Sequence, residues 1–578
     1  MNNSKNKKYW LSKSNLLKWE KKPQTALIKK KDFFCDWFFD GKINIYENCV
    51  LKHINDGYGE KFALICVDAN KFVKKYTYFE INKLVNNFCI QISKILNTNK
   101  IEDKKIMIHS SSSIYSAISM LGCSKLGIEF SVIFEDLELD AINNRIKLFK
   151  PDLFISKWSR KIFYNKFKKK LFKTNFYFFD EINLFKKDIV IDKHLKYFNS
   201  QKSLFTLFTS GSTGMPKGIV HSSGGYLLYS KLTCASQFGM NINSIVLTAS
   251  DAGWINGHTY ALFGPLSLGA TSILIEKPIL LLDIGLLKNL LKLKITILYL
   301  PVTLIRLIRA LKNNLSLKSK SLKTLGSMGE PLAPSVAKWF ANSFNLTNKS
   351  IINTYFQTET GGIISSPNYK DTIKKSPHGS VGKVVTNKIE ITKLKPNFKQ
   401  EICVLNSWPG CMKNVLNGKK EWMKYWTKNG TFRMFDLGTR KKSSIYIHGR
   451  VDDVMNVRGH RIGSEELEST VLKLKDINEC SAVLMKDELQ GSSIALFVVS
   501  KKKINNKIDN ILSSNFGRFA IPNIIIYLSE LPKTRSGKIL RRLLRHLLND
   551  TYNKNHVDTS TMLNPNIIYE IQRKIANI

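Results

Sequence analysis

No arginine occurs in the first 144 residues, and acidic side chains are scarce throughout: 45 Asp and Glu face 89 Lys and Arg, for a formal net charge of +44. A charge that large ordinarily points to nucleic acid or an anionic membrane. Here the excess is almost entirely lysine, spread over the whole length and mixed with abundant Asn and Ile. That is a compositional drift, not a binding stripe. Runs such as Lys29-Lys30-Lys31 and residues 166–170 read as solvated faces, and no specific nucleic-acid partner is expected. Nine cysteines are present, but none forms a Cys-x-x-Cys pair or another metal-type spacing, which argues against structural zinc and for a reduced compartment. No apolar signal core follows Met1-Asn2-Asn3-Ser4-Lys5. Long hydrophobic runs are missing too. The greasiest stretch, residues 278–311, is broken by Asp283, Lys288, Lys292 and Lys294, so it reads as helix, strand and helix with no membrane span. A cytoplasmic protein is expected. No internal repeat stands out, and 578 residues exceed what one core accommodates, so two or three domains are expected.

The arginines that do occur are concentrated: ten of fifteen fall between Arg433 and Arg545. In a chain drifting toward lysine, a retained rigid fork marks places where phosphate is handled. Through the first 400 residues or so, short apolar runs at 62–67, 106–108, 130–134, 153–155, 245–247, 271–275 and 297–300 alternate with amphipathic helical stretches. This predicts an α/β architecture with mainly parallel sheets. Beyond residue 453 the texture becomes compact α+β: a helix at 465–473, strands at 480–485 and 492–499, a further helix, and a strand at 523–528. The expected organisation is a large multi-subdomain N-terminal region, residues 1–452, and a small separate domain, residues 453–578. The polar tail, residues 549–566, is expected to wrap the surface.

Residues 208–218 read Phe-Thr-Ser-Gly-Ser-Thr-Gly-Met-Pro-Lys-Gly. Three glycines, two serines and two threonines between apolar flanks expose backbone N–H groups and hydroxyls together, as a polyphosphate requires. Lys217 adds a mobile positive charge. No Gly-Lys-Ser/Thr follows at the Walker offset, so this is not a P-loop of that kind. Further segments follow in order: Asp251-Ala252-Gly253-Trp254-Ile255-Asn256-Gly257-His258, Gly329-Glu330-Pro331, Tyr355-Phe356-Gln357-Thr358-Glu359-Thr360-Gly361, and Gly379-Ser380-Val381-Gly382. Gly449-Arg450-Val451-Asp452-Asp453, Gly459-His460-Arg461 and residues 531–538, ending Arg535-Ser536-Gly537-Lys538, complete the series. Loop and segments together resemble the acyl-adenylate-forming enzymes. Ser407-Trp408-Pro409-Gly410, the early Trp37-Phe38-Phe39-Asp40-Gly41 and the tail Asp558-Thr559-Ser560-Thr561 are similar to the short-chain branch, the acetyl- and propionyl-CoA synthetases.

The resemblance implies ATP, Mg²⁺ and coenzyme A as reaction partners, and a mobile C-terminal domain. Acyl-adenylate formation brings a carboxylate against a phosphate, so neutralising charge is the main task. By resemblance Lys538, on a Ser-Gly-Lys turn, bridges the substrate carboxylate and the α-phosphate. Glu359 is the expected Mg²⁺ ligand, since Mg²⁺ takes one or two carboxylates plus phosphate oxygens, and Thr358 supports a phosphate oxygen or the metal. Thr209, Ser210, Gly211, Ser212, Thr213, Gly214 and Lys217 form the phosphate loop. Gly329, Glu330 and Pro331 form the adenine shelf, with Gln357 beside it. Asp436 accepts the ribose hydroxyls, while Arg450 and Arg461 hold ribose and phosphate oxygens. Trp254, Ile255, Asn256, Met328 and Phe356 surround the acyl group. Asp452 matches the hinge, Gly459 the glycine over which pantetheine passes, and Arg160 a position that contacts CoA phosphate. A protein deacylase acting on Lys538 is a further implied partner.

Several positions depart from the family pattern. Phe435 precedes Asp436 where many relatives have glycine, Glu135-Asp136 stands where Gly-Gly is frequent, Arg458 precedes Gly459, and Ser513 falls near a commonly basic position. The reading is an AMP-forming ligase making a short acyl-CoA, with acetate as the first substrate. The alternatives are propionate, an acceptor other than CoA, or a non-catalytic basic protein on a ligase scaffold.

Overall fold

The computed structural model describes residues 3–137, 139–167, 174–182, 184, 195–209, 216–451, 454–457, 460–487, 491–534, 537–549, 551–552 and 562–577. The runs expected as strands are strands, and two seven-stranded sheets carry them. In the first sheet the order is Asn414–Val415, Lys217–Ser222, Ser203–Thr209, Glu129–Ile133, Lys105–His109, Leu153–Ser156 and Asn175–Phe178. Its last five strands are parallel, and the hairpin of Ser203–Thr209 with Lys217–Ser222 is antiparallel. The two strands that flank the Gly/Ser-rich segment pair with Thr209 registered opposite Lys217. In the second sheet Ile352–Asn353, Thr324–Met328, Ile297–Pro301, Ile245–Thr248, Thr271–Ile275 and Phe62–Val67 are parallel neighbours, and antiparallel Val73–Thr77 closes the edge. Continuous burial along Thr271–Ile275 is the signature of a parallel strand covered on both faces.

One apolar cluster joins the two sheets: Leu64 of the second meets Ile106, Phe130 and Phe205 of the first through Phe88, Ile118 and Leu227. Those three belong to the helices Tyr78–Leu96, Ile114–Leu126 and Gly224–Phe238. Local chemistry sets their ends. Thr77 and Glu80 form a capping box, and Asn97 ends that helix in the left-handed region; Ser113 and Gly127 do the same for the next, as caps of these types should.

Residues 400–450 add an antiparallel three-stranded sheet, Gln400–Val404, Phe432–Lys441 and Ser444–Arg450. Beyond it, Ile477–Asp487, Gly491–Ser500 and Ile524–Tyr527 form a separate sheet. Alternation along its strands feeds two cores. Cys480, Ala482, Leu496 and Val498 pack with Leu467, Ile508 and Leu512, whereas Val483, Ala495 and Phe497 pack with Leu531, Leu543, Leu544 and Ile571. This period of two between faces is what a sheet with helices on both sides requires. All nine cysteines are free thiols. Among the described residues no helix is long and apolar enough to cross a membrane.

Candidate active site

The residues singled out from the sequence gather beyond the carboxyl ends of four neighbouring strands of the second sheet. Asn256 follows Ile245–Thr248, Gly329 follows Thr324–Met328, and Gln357 follows Ile352–Asn353; Thr303, not among them, follows the intervening strand Ile297–Pro301. Open parallel sheets place ligands at this end. Gly329 has φ of 89°, and a β-carbon built on it would meet no atom within 4 Å, so its backbone borders open space. Glu330 beside it accepts from Arg306 at 3.0 Å, and the Pro331 carbonyl lies 3.5 Å from the same guanidinium.

Asp436, on the strand Phe432–Lys441, is buried and faces this shelf's neighbours. Its Oδ2 accepts from the Tyr355 hydroxyl at 2.8 Å and from Gln357 Nε2 at 2.7 Å, while Arg450 stands 3.6 Å from Oδ1. Burial pushes the Asp436 carboxyl above its ordinary range, and Arg450, the Tyr355 and Gln357 hydrogen bonds and the charge of Lys538 pull against it. Lys538 itself is exposed. Its turn is closed by Thr534 N–H donating to the Lys538 carbonyl at 2.8 Å and Lys538 N–H donating to Thr534 Oγ1 at 3.1 Å. Gly537 has φ of 85°, and a β-carbon there would lie 2.2 Å from Thr303 Oγ1. The lysine turn of the C-terminal part is thus seated against the helix Val302–Leu311, within electrostatic reach of Asp436.

On the phosphate-loop side, His221 lies on the strand that leaves the loop and contacts the Thr358 carbonyl through Nε2 at 2.7 Å. Burial pulls the His221 pKa down to about 4, so the ring is neutral and the carbonyl acceptor places its proton on Nε2. Glu359 accepts from the Tyr425 hydroxyl at 2.8 Å, and burial, with Glu359 next, drives the Tyr425 phenol far above its ordinary range. The hydroxyl therefore stays protonated and donates. Lys217 sits over the Tyr425 ring, 5.3 Å from its centre, and pairs with Glu421 at 2.6 Å. Trp408 Nε1 donates to the Thr360 carbonyl at 3.1 Å, and Gly361, at φ of 66°, packs so closely on the Gly410 carbonyl that a β-carbon would come within 2.2 Å. The Ser-Trp-Pro-Gly segment is accordingly the brace of the Thr358–Thr360 turn.

Three comparisons with known proteins bear on this arrangement. A model of the AMP-binding enzyme family matches residues 51–404, its C-terminal domain matches residues 466–538, and an acetyl-coenzyme A synthetase N-terminus matches residues 3–49. The chain belongs to the AMP-binding enzyme family. An acetyl-coenzyme A synthetase from Leptospira biflexa is 31% identical over 98% of this chain and 94% of its own length. One from Helicobacter pylori strain P12 is 30% identical over 96% and 91%. In fold the chain is similar to an acetoacetyl-CoA synthetase from Streptomyces lividans, with TM-score 0.84 and 16% identity over 100% of this chain and 93% of that one. An anthranilate CoA ligase solved with anthranoyl-AMP gives TM-score 0.77 and 18% identity over 88% and 98%.

Not every expected residue of this AMP-binding enzyme joins the cluster. Asn256, Met328 and Phe356 do meet: Asn256 Nδ2 donates toward Met328 Sδ, and Phe356 packs on the same apolar group as Met328, 5.4 Å from the Tyr260 ring. Asn256 Oδ1 is buried without a partner. Ile255 is buried in the inter-sheet core, and Trp254 packs on Phe134 with ring centres 5.0 Å apart, in a different cluster. Arg160 is held by Glu181 at 2.6 and 3.0 Å and lies over Phe178. Glu135 accepts from Ser111 and from Trp158 Nε1, with Lys157 3.5 Å away. Ser513 Oγ donates to the Asn510 carbonyl within the helix Asn505–Phe516. The backbone of Arg461 pairs with Asn456 in a short hairpin. Ser210, Gly211, Ser212, Thr213, Gly214, Asp452, Arg458, Gly459 and most of the tail lie outside the described residues.

Thr303, His221, Tyr355, Tyr425, Glu421, Arg306 and Glu465 contribute to the site without a role assigned from the sequence. Arg306 carried a usable signal, being one of fifteen arginines in a lysine-rich chain. Glu465 is enclosed where the C-terminal part meets the site, with Oε2 buried and unpartnered. Burial pushes its carboxyl up to about 8; Arg541 opposes this, and Glu468, Asp436 and Glu330 reinforce it. Arg541 is in turn bound by Glu468 through contacts of 2.9 and 2.5 Å.

Proposed function

We propose that this chain activates acetate with ATP and transfers the acetyl group to coenzyme A. The chain is an AMP-forming short-chain acyl-CoA synthetase, an ATP-dependent acid–thiol ligase. The observation that carries the residue assignment is the seating of the Lys538 turn against Thr303, within electrostatic reach of Asp436. In the first half-reaction a carboxylate oxygen of the acid bonds to the α-phosphorus of ATP, and the bond to pyrophosphate breaks. Lys538 offsets the negative charge that accumulates as the two anions meet. Asp436 and Arg450 hold the ribose, Gly329-Glu330-Pro331 receives the adenine, and the Gly/Ser-rich segment beyond Thr209 takes the leaving phosphates with Lys217. Lys217 exchanges its Glu421 contact for phosphate as the nucleotide enters.

The donor set around Glu359 fits Mg²⁺: one partly exposed carboxylate with a single hydroxyl donor leaves room for phosphate oxygens and water. Bound there, the ion supplies charge neutralisation on the phosphates. In the second half-reaction the CoA sulfur attacks the acyl carbon and AMP leaves with the bonding electrons. A rotation about Asp452 carries Lys538 away and brings Gly459 to the thiol path; Arg461 holds ribose and phosphate oxygens of the nucleotide, and Arg160 contacts CoA phosphate. Residues 1–452 and 453–578 are the two bodies that move. The exposure of Lys538 also leaves it open to a protein deacylase.

The Asn256–Met328 contact, with Phe356 packed on the same apolar group, supports a small acid such as acetate. One methylene in such a pocket is worth roughly 1–3 kcal/mol. ATP–pyrophosphate exchange across acetate, propionate, butyrate and acetoacetate, followed by CoA addition, tests the reading. Exchange strongest with acetate and CoA-dependent AMP release are expected; exchange without thioester formation would reassign the acceptor.

A further inference from the structure

Phe435 stands directly before Asp436 on a strand whose pairing is broken at that point. Between the pairs Glu401–Leu437 and Cys403–Arg433, Ile402 alone stands opposite Met434, Phe435 and Asp436. A bulge of this kind bends a strand and re-aims its side chains. At its centre Phe435 has φ of 56°, a left-handed conformation unfavourable for a bulky residue and kept only where the surroundings enforce it. Those surroundings are cationic and aromatic. The Arg433 guanidinium lies 4.7 Å from the centre of the Phe435 ring and that of Arg450 lies 5.6 Å away. Arg433 is anchored by two contacts of 2.9 Å to Glu401. Tyr425, the residue that donates to Glu359, meets Phe435 edge-on with ring centres 5.8 Å apart.

We propose that Phe435 is a positioning residue for the nucleotide: its ring, presented by the left-handed bulge, seats the Arg450 guanidinium beside Asp436 and, through Tyr425, steadies Glu359. The inference rests on the ligase reading for what Arg450, Asp436 and Glu359 hold. A guanidinium stacked on a ring has lost much of its rotamer freedom before the ligand arrives, so less ordering is required on binding. The backbone and the ring are separable. Glycine accepts the left-handed conformation without strain but offers nothing for Arg450 to rest on.

The test measures ATP affinity by calorimetry, and KM and kcat in ATP–pyrophosphate exchange, for the wild type, Phe435→Leu, Phe435→Gly and Phe435→Tyr. Leucine and glycine are expected to weaken ATP binding and raise KM for ATP about 5- to 30-fold, with kcat changed less than about threefold. Tyrosine, which keeps the ring, recovers most of the affinity. Glycine unfolds at or above the temperature of leucine while sharing its KM defect, a separation that a purely structural role does not produce. In an Arg450→Met background the leucine effect on affinity shrinks to less than about twofold. Wild-type affinity in all three variants, a leucine effect undiminished without Arg450, or KM tracking melting temperature across the series would each overturn the assignment. A wild-type protein that binds ATP yet catalyses no exchange overturns the ligase reading instead, and the affinity comparison then decides the role of Phe435 alone. A wild-type protein that binds no ATP overturns both.

Discussion

Replacing Gly537 with alanine probes the seating of the lysine turn through a single methyl group. Its φ of 85° disfavours any β-carbon wherever the C-terminal part sits, but the 2.2 Å approach to Thr303 Oγ1 exists only when the turn is seated. Overpacking of this kind costs about 1–3 kcal/mol beyond the conformational penalty. The seated arrangement should therefore lose about 5- to 150-fold in population. Because Lys538 acts in that arrangement, Gly537→Ala should lower ATP–pyrophosphate exchange by this factor. Thioester formation from supplied acyl-AMP should fall far less. Thr303→Ala removes the opposing hydroxyl and methyl but leaves its β-carbon 2.7 Å away, so the double variant should recover part of the steric loss and keep the conformational part. The assay is the ratio of the two half-reactions in the wild type, both single variants and the double variant. An unchanged ratio in Gly537→Ala, or no recovery in the double variant, would refute the seating.

Phe356→Trp should shift kcat/KM toward acetate over propionate by roughly 10-fold, since a larger ring consumes the room of one methylene; steady-state kinetics with both acids check this. His53, His221 and His258 are held neutral, with burial the leading cause and pKa values near 4, 4 and 3. Depressed values mean the unfolded chain binds more protons, so stability is intact above pH ~6.5 and is lost as pH falls through ~4, about 3 kcal/mol for His221 alone. His221→Gln, which keeps an N–H for the Thr358 carbonyl, should shrink the fall in melting temperature between those pH values. Glu465 runs the other way. Raised from 4.5 to about 8 by burial, it favours the seated arrangement at low pH and weakens it as pH rises through 8. Glu465→Gln should flatten the decline of exchange between about pH 4.5 and 8, and an unaltered pH profile would count against that placement.

Much of the fold could be read directly from the chain because its strands are continuous apolar runs with polar bounds. The runs at 62–67 and 271–275 match the observed strands end to end, and most others extend a residue or more beyond the apolar run, as Lys105–His109 and Ile477–Asp487 do. The order of the glycine-bearing segments likewise exposed the site, since a β-carbon would enter open space at Gly329, meet backbone at Gly361 and meet the Thr303 side chain at Gly537. What could not be read were the partners. Tyr425 reaches Glu359 across 66 residues, and Lys217 is held by Glu421; such pairs depend on which loops converge and leave no periodicity. Trp254 adjoins Asn256 in sequence but packs against Phe134 of the other sheet, because a turn before a helix sends neighbouring side chains in different directions. The left-handed conformation of Phe435 was hinted at only by its occupying a position where the family resemblance leads one to expect glycine in many members.

The most direct test of the account compares both half-reactions in the wild type and in Lys538→Ala. The wild type should exchange pyrophosphate into ATP with acetate and release AMP on CoA addition. Lys538→Ala should lose exchange yet still convert supplied acetyl-AMP and CoA to acetyl-CoA. Absence of exchange by the wild type with any short acid, or equal loss of both steps in the variant, would contradict it.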